Sequence, residues 1–264
     1  MIKITIITIT YNSEKTLLDT INSVRNQEYE DLEYIVIDGG STDRTLDIIH
    51  ENEDIITKYI SEPDEGISDA FNKGIQMATG DLIGIINSDD MLELGALNIL
   101  GSEELDQVDV VYGNCVCFGN NERPYRTKPC EDINELKEHM ALIHPATFVK
   151  KDAYEKYGYF DKKYKCCMDR ELLLRMLQNG ARFKYINKDL ARMRLGGVNQ
   201  KNYLTVTLPE GKEISLKYGL NPMKANWVFL RNGCKFRLAC FVRKFKFAHI
   251  IRKIFHSKNT ELNI

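Results

Sequence analysis

The chain has 264 residues, 43% of them hydrophobic and 28% charged, with a net charge of −2. That is enough apolar material for one large domain or two small ones, and it excludes a disordered chain. No run of about eighteen apolar residues is present, which argues against a transmembrane helix, and the seven cysteines, odd in number and without a C-x-x-C pair, read as reduced thiols.

The amino terminus opens on an alternating strand pattern over residues 2–9, without a charged n-region or cleavage site, so retention in the cytosol is expected. Residues 14–26 then show helical spacing through Leu17, Leu18, Ile21 and Val24, with Ser13 as a candidate N-cap. A strand is predicted over 32–37, a turn at Asp38-Gly39-Gly40-Ser41, a helix over 43–49, a short strand at Tyr59-Ile60, a helix over 67–79 and a strand over 81–86. Strands alternating with helices predict an α/β fold with a parallel sheet covered on both faces. Beyond residue 90 the pattern is less regular. Residues 95–105 look helical, 108–118 strand-like, 119–130 a polar loop containing Pro124 and Pro129, and 169–179 helical with Gly180 as the stop.

Four polar turns each follow a predicted strand: Thr10-Tyr11-Asn12, residues 38–43, residues 62–66 and Asn87-Ser88-Asp89-Asp90. In a parallel sheet these turns lie on one edge and converge on one ligand. Two carboxylates at the end of a strand suit a hard divalent cation, Mg²⁺ or Mn²⁺, which would grip a diphosphate; an ordinary polar turn would use the same residues. Asp38 is placed to accept a hydrogen bond from a base or a ribose hydroxyl. No G-x-G-x-x-G follows the first strand, which argues against a dinucleotide-dependent dehydrogenase.

The stretches ITYN (9–12), IDGGSTDRT (37–45), SEPDEGISDAFNKGIQMATGDLIGIINSDD (61–90), HPATF (144–148) and MDRELLLRM (168–176) together resemble the family-two glycosyltransferases of GT-A fold, over roughly residues 2–200. Within that family the chain is similar to bacterial transferases that build surface polysaccharides of the O-antigen and colanic-acid type. The resemblance implies a Rossmann-like, mostly parallel sheet and an inverting transferase using a nucleotide-sugar, a UDP-sugar by preference. It implies nucleoside contacts from Thr10, Tyr11, Asn12, Asp38 and Asp64, and places Asn72 and Lys73 near the diphosphate or donor sugar. Asn87 and Ser88 join the donor site, with Asn87 standing where the family usually has Asp, so that an amide replaces a carboxylate at the ribose. Asp89 matches the metal-holding residue, and Asp169 the base that deprotonates the acceptor hydroxyl. His144 is a candidate for the acceptor side, and Arg192 and Arg194, with Gly196-Gly197, resemble the loop that closes over the donor.

From Arg231 to Lys258 there are nine Lys or Arg and no acidic residue, which leaves residues 1–230 with 27 basic against 37 acidic groups. So acidic a body argues against nucleic acid as partner. Leu238, Phe241, Val242 and Phe245 fall at helical spacing among the basic residues, and Ile250, Ile251, Ile254 and Phe255 extend the apolar area. This is the make-up of a helix lying on an anionic membrane, or of one docked on the core. The expected organisation is a catalytic domain over 1–205 and a basic helical appendage over 206–264, peripheral on the inner membrane and facing a lipid-linked or glycan acceptor. The sequence leaves the oligomeric state open. A non-catalytic sugar-nucleotide-binding protein on the same scaffold and a nucleotidyltransferase are the competing readings, the second disfavoured by the lack of a Gly-rich basic loop.

Overall fold

Four strands, β1 (Ile4–Thr10), β2 (Leu32–Asp38), β3 (Lys58–Ser61) and β4 (Leu82–Ile85), run parallel in the order β3-β2-β1-β4, with β1 the richest in β-branched residues. The computed structural model describes residues 2–119, 122–196 and 202–244. Side chains alternate between two cores. Ile7, Ile35 and Ile37 point to one face, where α3 (Ile67–Met77) lays down Phe71 and Ile75. Ile4, Ile6, Tyr34 and Val36 point to the other, against Leu17, Ile21 and Val24 of α1 (Leu17–Arg25), Ile48 and Ile49 of α2 (Thr45–His50) and Leu97 and Leu100 of α4 (Ala96–Gly101). The period of two in the strands and of about 3.6 in the helices thus produces a sheet buried on both sides.

Past β4, antiparallel strands enter the mostly parallel sheet. β8 (Thr147–Lys150) lies antiparallel between β4 and β6 (Val110–Gly119); β6 runs parallel to β9 (Phe183–Arg194), and β5 (Met91–Leu92) is antiparallel to β9. The result is a mixed nine-stranded sheet in the order β3-β2-β1-β4-β8-β6-β9-β5, with β7 (Glu122–Thr127) on β6. The polar loop expected over 119–130 is therefore in part a strand. β7 pairs with the distal half of β6, through Tyr125, Arg126 and Thr127, while Pro124 falls at the register shift, where no ladder N–H is demanded. α1 also starts later than predicted: Ser13 offers its backbone carbonyl to Thr16 and Leu17 rather than a side-chain cap.

α5 (Lys151–Tyr157) and α6 (Met168–Gln178) cover the first core, with Leu172, Leu173, Leu174 and Met176 buried. The carboxy-terminal helices begin docked on α6. Within α7 (Leu208–Lys217), Ile214 is fully buried in that core, and Gly211 and Ser215 accept the buried guanidinium of Arg170 at 2.8 Å each. Buried Glu171 in turn accepts hydrogen bonds from Lys217 at 2.8 Å and from Tyr218 at 2.6 Å. α8 (Pro222–Lys244) packs on α7 through Ala225 and Val228, and the Phe236 ring stacks on Tyr203 at 4.5 Å. Trp227, Leu230, Leu238 and Phe241 are exposed on it. The side chain of Val242, together with Phe245, Ile250, Ile251, Ile254 and Phe255, lies outside the described residues, as does Gly197. No helix among the described residues is long and apolar enough to cross a membrane.

Candidate active site

The carboxyl ends of the parallel strands are level, with Thr10 opposite Asp38 and Asp38 opposite Ser61, so their exit turns leave at one rim. Asn12 adopts a left-handed conformation, φ 49°, which Asn tolerates better than most residues. That turn lets its N–H donate to Ser41 Oγ at 2.8 Å while its Oδ1 accepts from the Thr42 N–H at 2.9 Å. Ser13 reaches both ways, its N–H donating to Thr45 Oγ1 and its hydroxyl bonded to Ser88 Oγ, each at 2.8 Å. The exit turn of β1 is thereby stitched to those of β2 and β4, which makes one connected surface of turns that lie far apart in sequence.

Asp38 is fully buried at this rim. One carboxylate oxygen accepts the Ser41 hydroxyl at 2.5 Å; the other accepts the N–H groups of Ser41 at 3.0 Å and Gly40 at 3.2 Å and the Ser61 hydroxyl at 2.6 Å. Asp38 thus organises the turn from inside. The open faces belong to Tyr11, 62% exposed, and to Asp64. They flank Gly39, where a Cβ would stand 2.6 Å from Asp64 Oδ2 and 3.5 Å from Tyr11 Cδ2. The missing side chain leaves a cradle between an aromatic ring and a carboxylate. The Thr10 hydroxyl, at the end of β1, is buried without a hydrogen-bond partner among the described residues.

Asn72 and Lys73 have other engagements. Asn72 exchanges two hydrogen bonds with the backbone of Phe160, at 2.9 and 3.0 Å, and so anchors the segment that leads to α6. The Lys73 ammonium lies 2.7 Å from Glu62, 3.4 Å from Asp69 and 3.4 Å from the Pro63 carbonyl, bracing the turn that carries Asp64.

In the turn after β4 the two carboxylates divide their roles. Asp90 is buried and accepts from Asn87 Nδ2 at 3.1 Å and from the Arg194 N–H at 2.9 Å, pinning this turn to the end of β9. Burial, with the Asp89 charge beside it, pushes the Asp90 carboxyl up to about 7. Asp89 is half-buried, and no other described residue donates a hydrogen bond to its carboxylate; burial raises its pKa and the Arg194 charge counteracts. A hard oxygen donor left open on a partly dry rim fits Mg²⁺ or Mn²⁺, which take one or two protein carboxylates and complete their shells with phosphate oxygens and water. Arg194 donates from Nε to the Asp89 carbonyl at 3.3 Å, and its guanidinium lies over the Phe118 ring at 4.7 Å. Arg192 lies over the same ring at 5.4 Å, but lines a separate depression of about 290 Å³ together with α1 residues such as Asn22 and with Glu93.

Asp169 is the second residue of α6, its Oδ1 2.7 Å from the Arg170 N–H. It lines a cavity of about 20 Å³ with His144, Tyr154, Phe160 and Ile85, the last residue of β4. That is room for about one water. Burial pushes the Asp169 carboxyl above the usual range and the His144 imidazole below it, while each pulls the other back toward the charged form. His144 stacks on Phe71 at 5.3 Å, and its Nε2 is buried without a hydrogen-bond partner among the described residues. A carboxylate and an imidazole on a shared cavity, joined through Ile85 to the strand that leads into the Asp89 turn, is an arrangement that can move a proton. Sequence reasoning missed the parts that hold this rim in place: Ser41 and Ser61 on Asp38, Phe118 under the two arginines, and Glu210. The carboxylate of Glu210 accepts the N–H groups of Lys165, Cys166 and Cys167 at 2.8, 2.9 and 3.0 Å, immediately before α6.

The family described as Glycosyl transferase family 2 matches residues 5–173, more than half of the chain. The chain is 28% identical over 182 residues to the PGL/p-HBAD biosynthesis glycosyltransferase of Mycobacterium bovis BCG, an alignment covering 65% of this chain and 68% of that protein. It is 30% identical over 149 residues to the GalNAc(5)-diNAcBac-PP-undecaprenol beta-1,3-glucosyltransferase of Campylobacter jejuni, covering 54% of this chain and 48% of the other. Its fold is similar to that of S. aureus TarS 1-349 in complex with UDP-GlcNAc, with a TM-score of 0.65 over 93% of this chain and 77% of that one at 18% identity.

Proposed function

Because the chain belongs to glycosyl transferase family 2, we propose that it transfers a sugar from a nucleotide-sugar donor, by preference a UDP-sugar, to a hydroxyl of a lipid-linked or glycan acceptor, with inversion. The observation that carries this reading is the stitched rim, on which Tyr11, Asp64 and Asp89 share one connected surface and β4 leads on to the cavity of Asp169. The UDP-GlcNAc bound by TarS and the undecaprenol-linked acceptor in the name of the Campylobacter relative support the choice of donor and acceptor class.

The Tyr11 ring packs against the base, and Asp64, across the Gly39 cradle, accepts from base or ribose. Asn87 and Ser88 line the path to the diphosphate. Asp89 would hold the divalent cation. When bound, that cation supplies positive charge against the departing nucleoside diphosphate. Asp169 takes the proton of the acceptor hydroxyl as its oxygen forms a bond to the anomeric carbon and the bond from that carbon to the diphosphate breaks. A carboxylate whose pKa is raised by burial is a stronger base for that step than a solvated one. His144, on the same cavity, lines the acceptor side, and Arg194 adds charge near the leaving group. The basic, partly apolar face of α8, with Arg231, Lys235 and Arg237 beside exposed Trp227, Leu230 and Leu238, supports a place on the cytoplasmic membrane surface, within reach of a lipid-linked acceptor.

Asp169→Asn should lower kcat by at least about a hundredfold, the usual contribution of a general base, while donor binding, read as thermal stabilisation, persists. Asp89→Asn should remove both transfer and Mn²⁺-dependent stabilisation by the donor. Near-normal turnover in either variant overturns its assigned role.

A further inference from the structure

A second group of metal-ligating side chains lies well apart in sequence from Asp89, on the segment that runs from β7 toward His144. Cys130, Glu135 and His139 bring their ligand atoms within 4.8 Å of one another. His139 Nε2 stands 3.4 Å from Cys130 Sγ and 3.4 Å from Glu135 Oε2. Tetrahedral zinc, with Zn–S near 2.3 Å and Zn–N and Zn–O near 2.0–2.2 Å, places adjacent ligand atoms about 3.3–3.6 Å apart. Both separations from His139 fall in that range.

Local structure explains the fit. The 3-10 turn Ile133–Lys137 puts Glu135 and His139 on one side, with the His139 N–H bonded to the Glu135 carbonyl at 3.0 Å. The Cys130 N–H donates to the Ala141 carbonyl at 2.9 Å and folds the segment back on itself. All three residues are partly exposed, so an ion has a path of entry. Glu135 and Glu138 set negative charge beside His139, against the positive charge of Arg170 and Arg231.

We propose that Cys130, Glu135 and His139 form a three-ligand site for a borderline transition-metal ion of the Zn²⁺ class, separate from the Mg²⁺ or Mn²⁺ that the donor requires. One sulfur, one imidazole nitrogen and one carboxylate oxygen select such an ion over Mg²⁺, and they leave a fourth position for water or another ligand. The thiol gives its proton to solvent when the ion binds. The Leu136 carbonyl, within the clamped turn, accepts the Nε of Arg170 at 2.8 Å, next to Asp169 in α6. The ion therefore braces the turn that holds Arg170 and takes no part in the chemistry.

The test is titration of the chelator-treated full chain with Co²⁺ and Zn²⁺. Expected are one equivalent of Co²⁺ with a thiolate-to-cobalt charge-transfer band and tetrahedral visible bands, displaced by Zn²⁺, and a rise in Tm with Zn²⁺. Cys130→Ser and His139→Ala should lose the charge-transfer band and the Zn²⁺-dependent rise while melting like the parent in chelator. Asp89→Asn should keep both signals. Absence of the band from the parent chain, or its survival undiminished in Cys130→Ser, overturns the site.

Discussion

Glu33 offers a way to separate what holds the sheet together from what does the chemistry. It is the second residue of β2, 3% exposed, and its carboxylate accepts the Thr5 hydroxyl at 2.7 Å, the Thr79 N–H at 2.7 Å, the Thr79 hydroxyl at 2.9 Å and the Lys58 ammonium at 2.8 Å. These partners come from β1, β3 and the turn before β4, so one side chain ties the lower end of the parallel sheet. Burial alone would raise its pKa. The Lys58 ammonium and the hydrogen bonds from Thr79 and Thr5 more than offset that, and hold the carboxyl at about 2 against an ordinary 4.5. That difference contributes about 3 kcal/mol of stability at neutral pH. Because the folded pKa is the lower one, the contribution is complete above pH 4.5 and is lost as pH falls through about 2. Urea unfolding of the parent and of Glu33→Gln should therefore differ by about 3 kcal/mol at pH 7, and by about 1 kcal/mol less at pH 3.5. Asp38 lies five residues further along β2, roughly 17 Å away, so folded Glu33→Gln should keep the parent kcat. A stability gap that does not change with pH, or no gap at all, refutes the assignment of this stabilisation to the Glu33 charge.

Three other substitutions probe the rim and its supports. Gly39→Ala places a methyl group 2.6 Å from Asp64 Oδ2 and, since a carboxylate can swing aside, should raise the donor KM severalfold with Tm little changed; an unaltered KM would remove Gly39 from the nucleoside cradle. Gly84→Ala sets a methyl group 2.4 Å from Cε1 of the fully buried Phe148 ring. Overpacking of that kind costs about 1–3 kcal/mol, and equilibrium denaturation should register it as a lower midpoint. Glu210→Ala strips the acceptor from three successive N–H groups ahead of α6. It should destabilise by about 1–3 kcal/mol, with faster hydrogen exchange at residues 165–167 and a lower kcat through displacement of Asp169.

The parallel half of the sheet was legible because its strands carry their own signal: residues buried on both faces leave near-continuous apolar runs, and Asn, Asp and Gly mark where each one stops. The mixed half carries no such local signal. The neighbour of β4 is β8, which begins more than sixty residues after β4 ends in the chain and pairs with both β4 and β6. β7 escaped notice because Glu, Arg and Pro depress strand propensity, yet those are the residues an edge strand tolerates.

The site divides in the same way. Positions were readable and loyalties were not. Asp38 and Asp64 both stand in turns at the ends of strands, and nothing in the sequence says that the first turns inward to four donors from its own rim while the second stays beside the open Gly39 cradle. What separates them is Ser61, level with Asp38 on β3, and Ser41, three residues on, whose hydroxyls fill the Asp38 oxygens. Glu210 is more than thirty residues beyond α6 in sequence and marks no motif, yet its carboxylate satisfies the N–H groups that would otherwise stand unpaired before the helix bearing Asp169. A motif scan finds residues that touch a ligand through local spacing. The residues that keep them in place are chosen by tertiary contact, so they become visible only when the chain is folded.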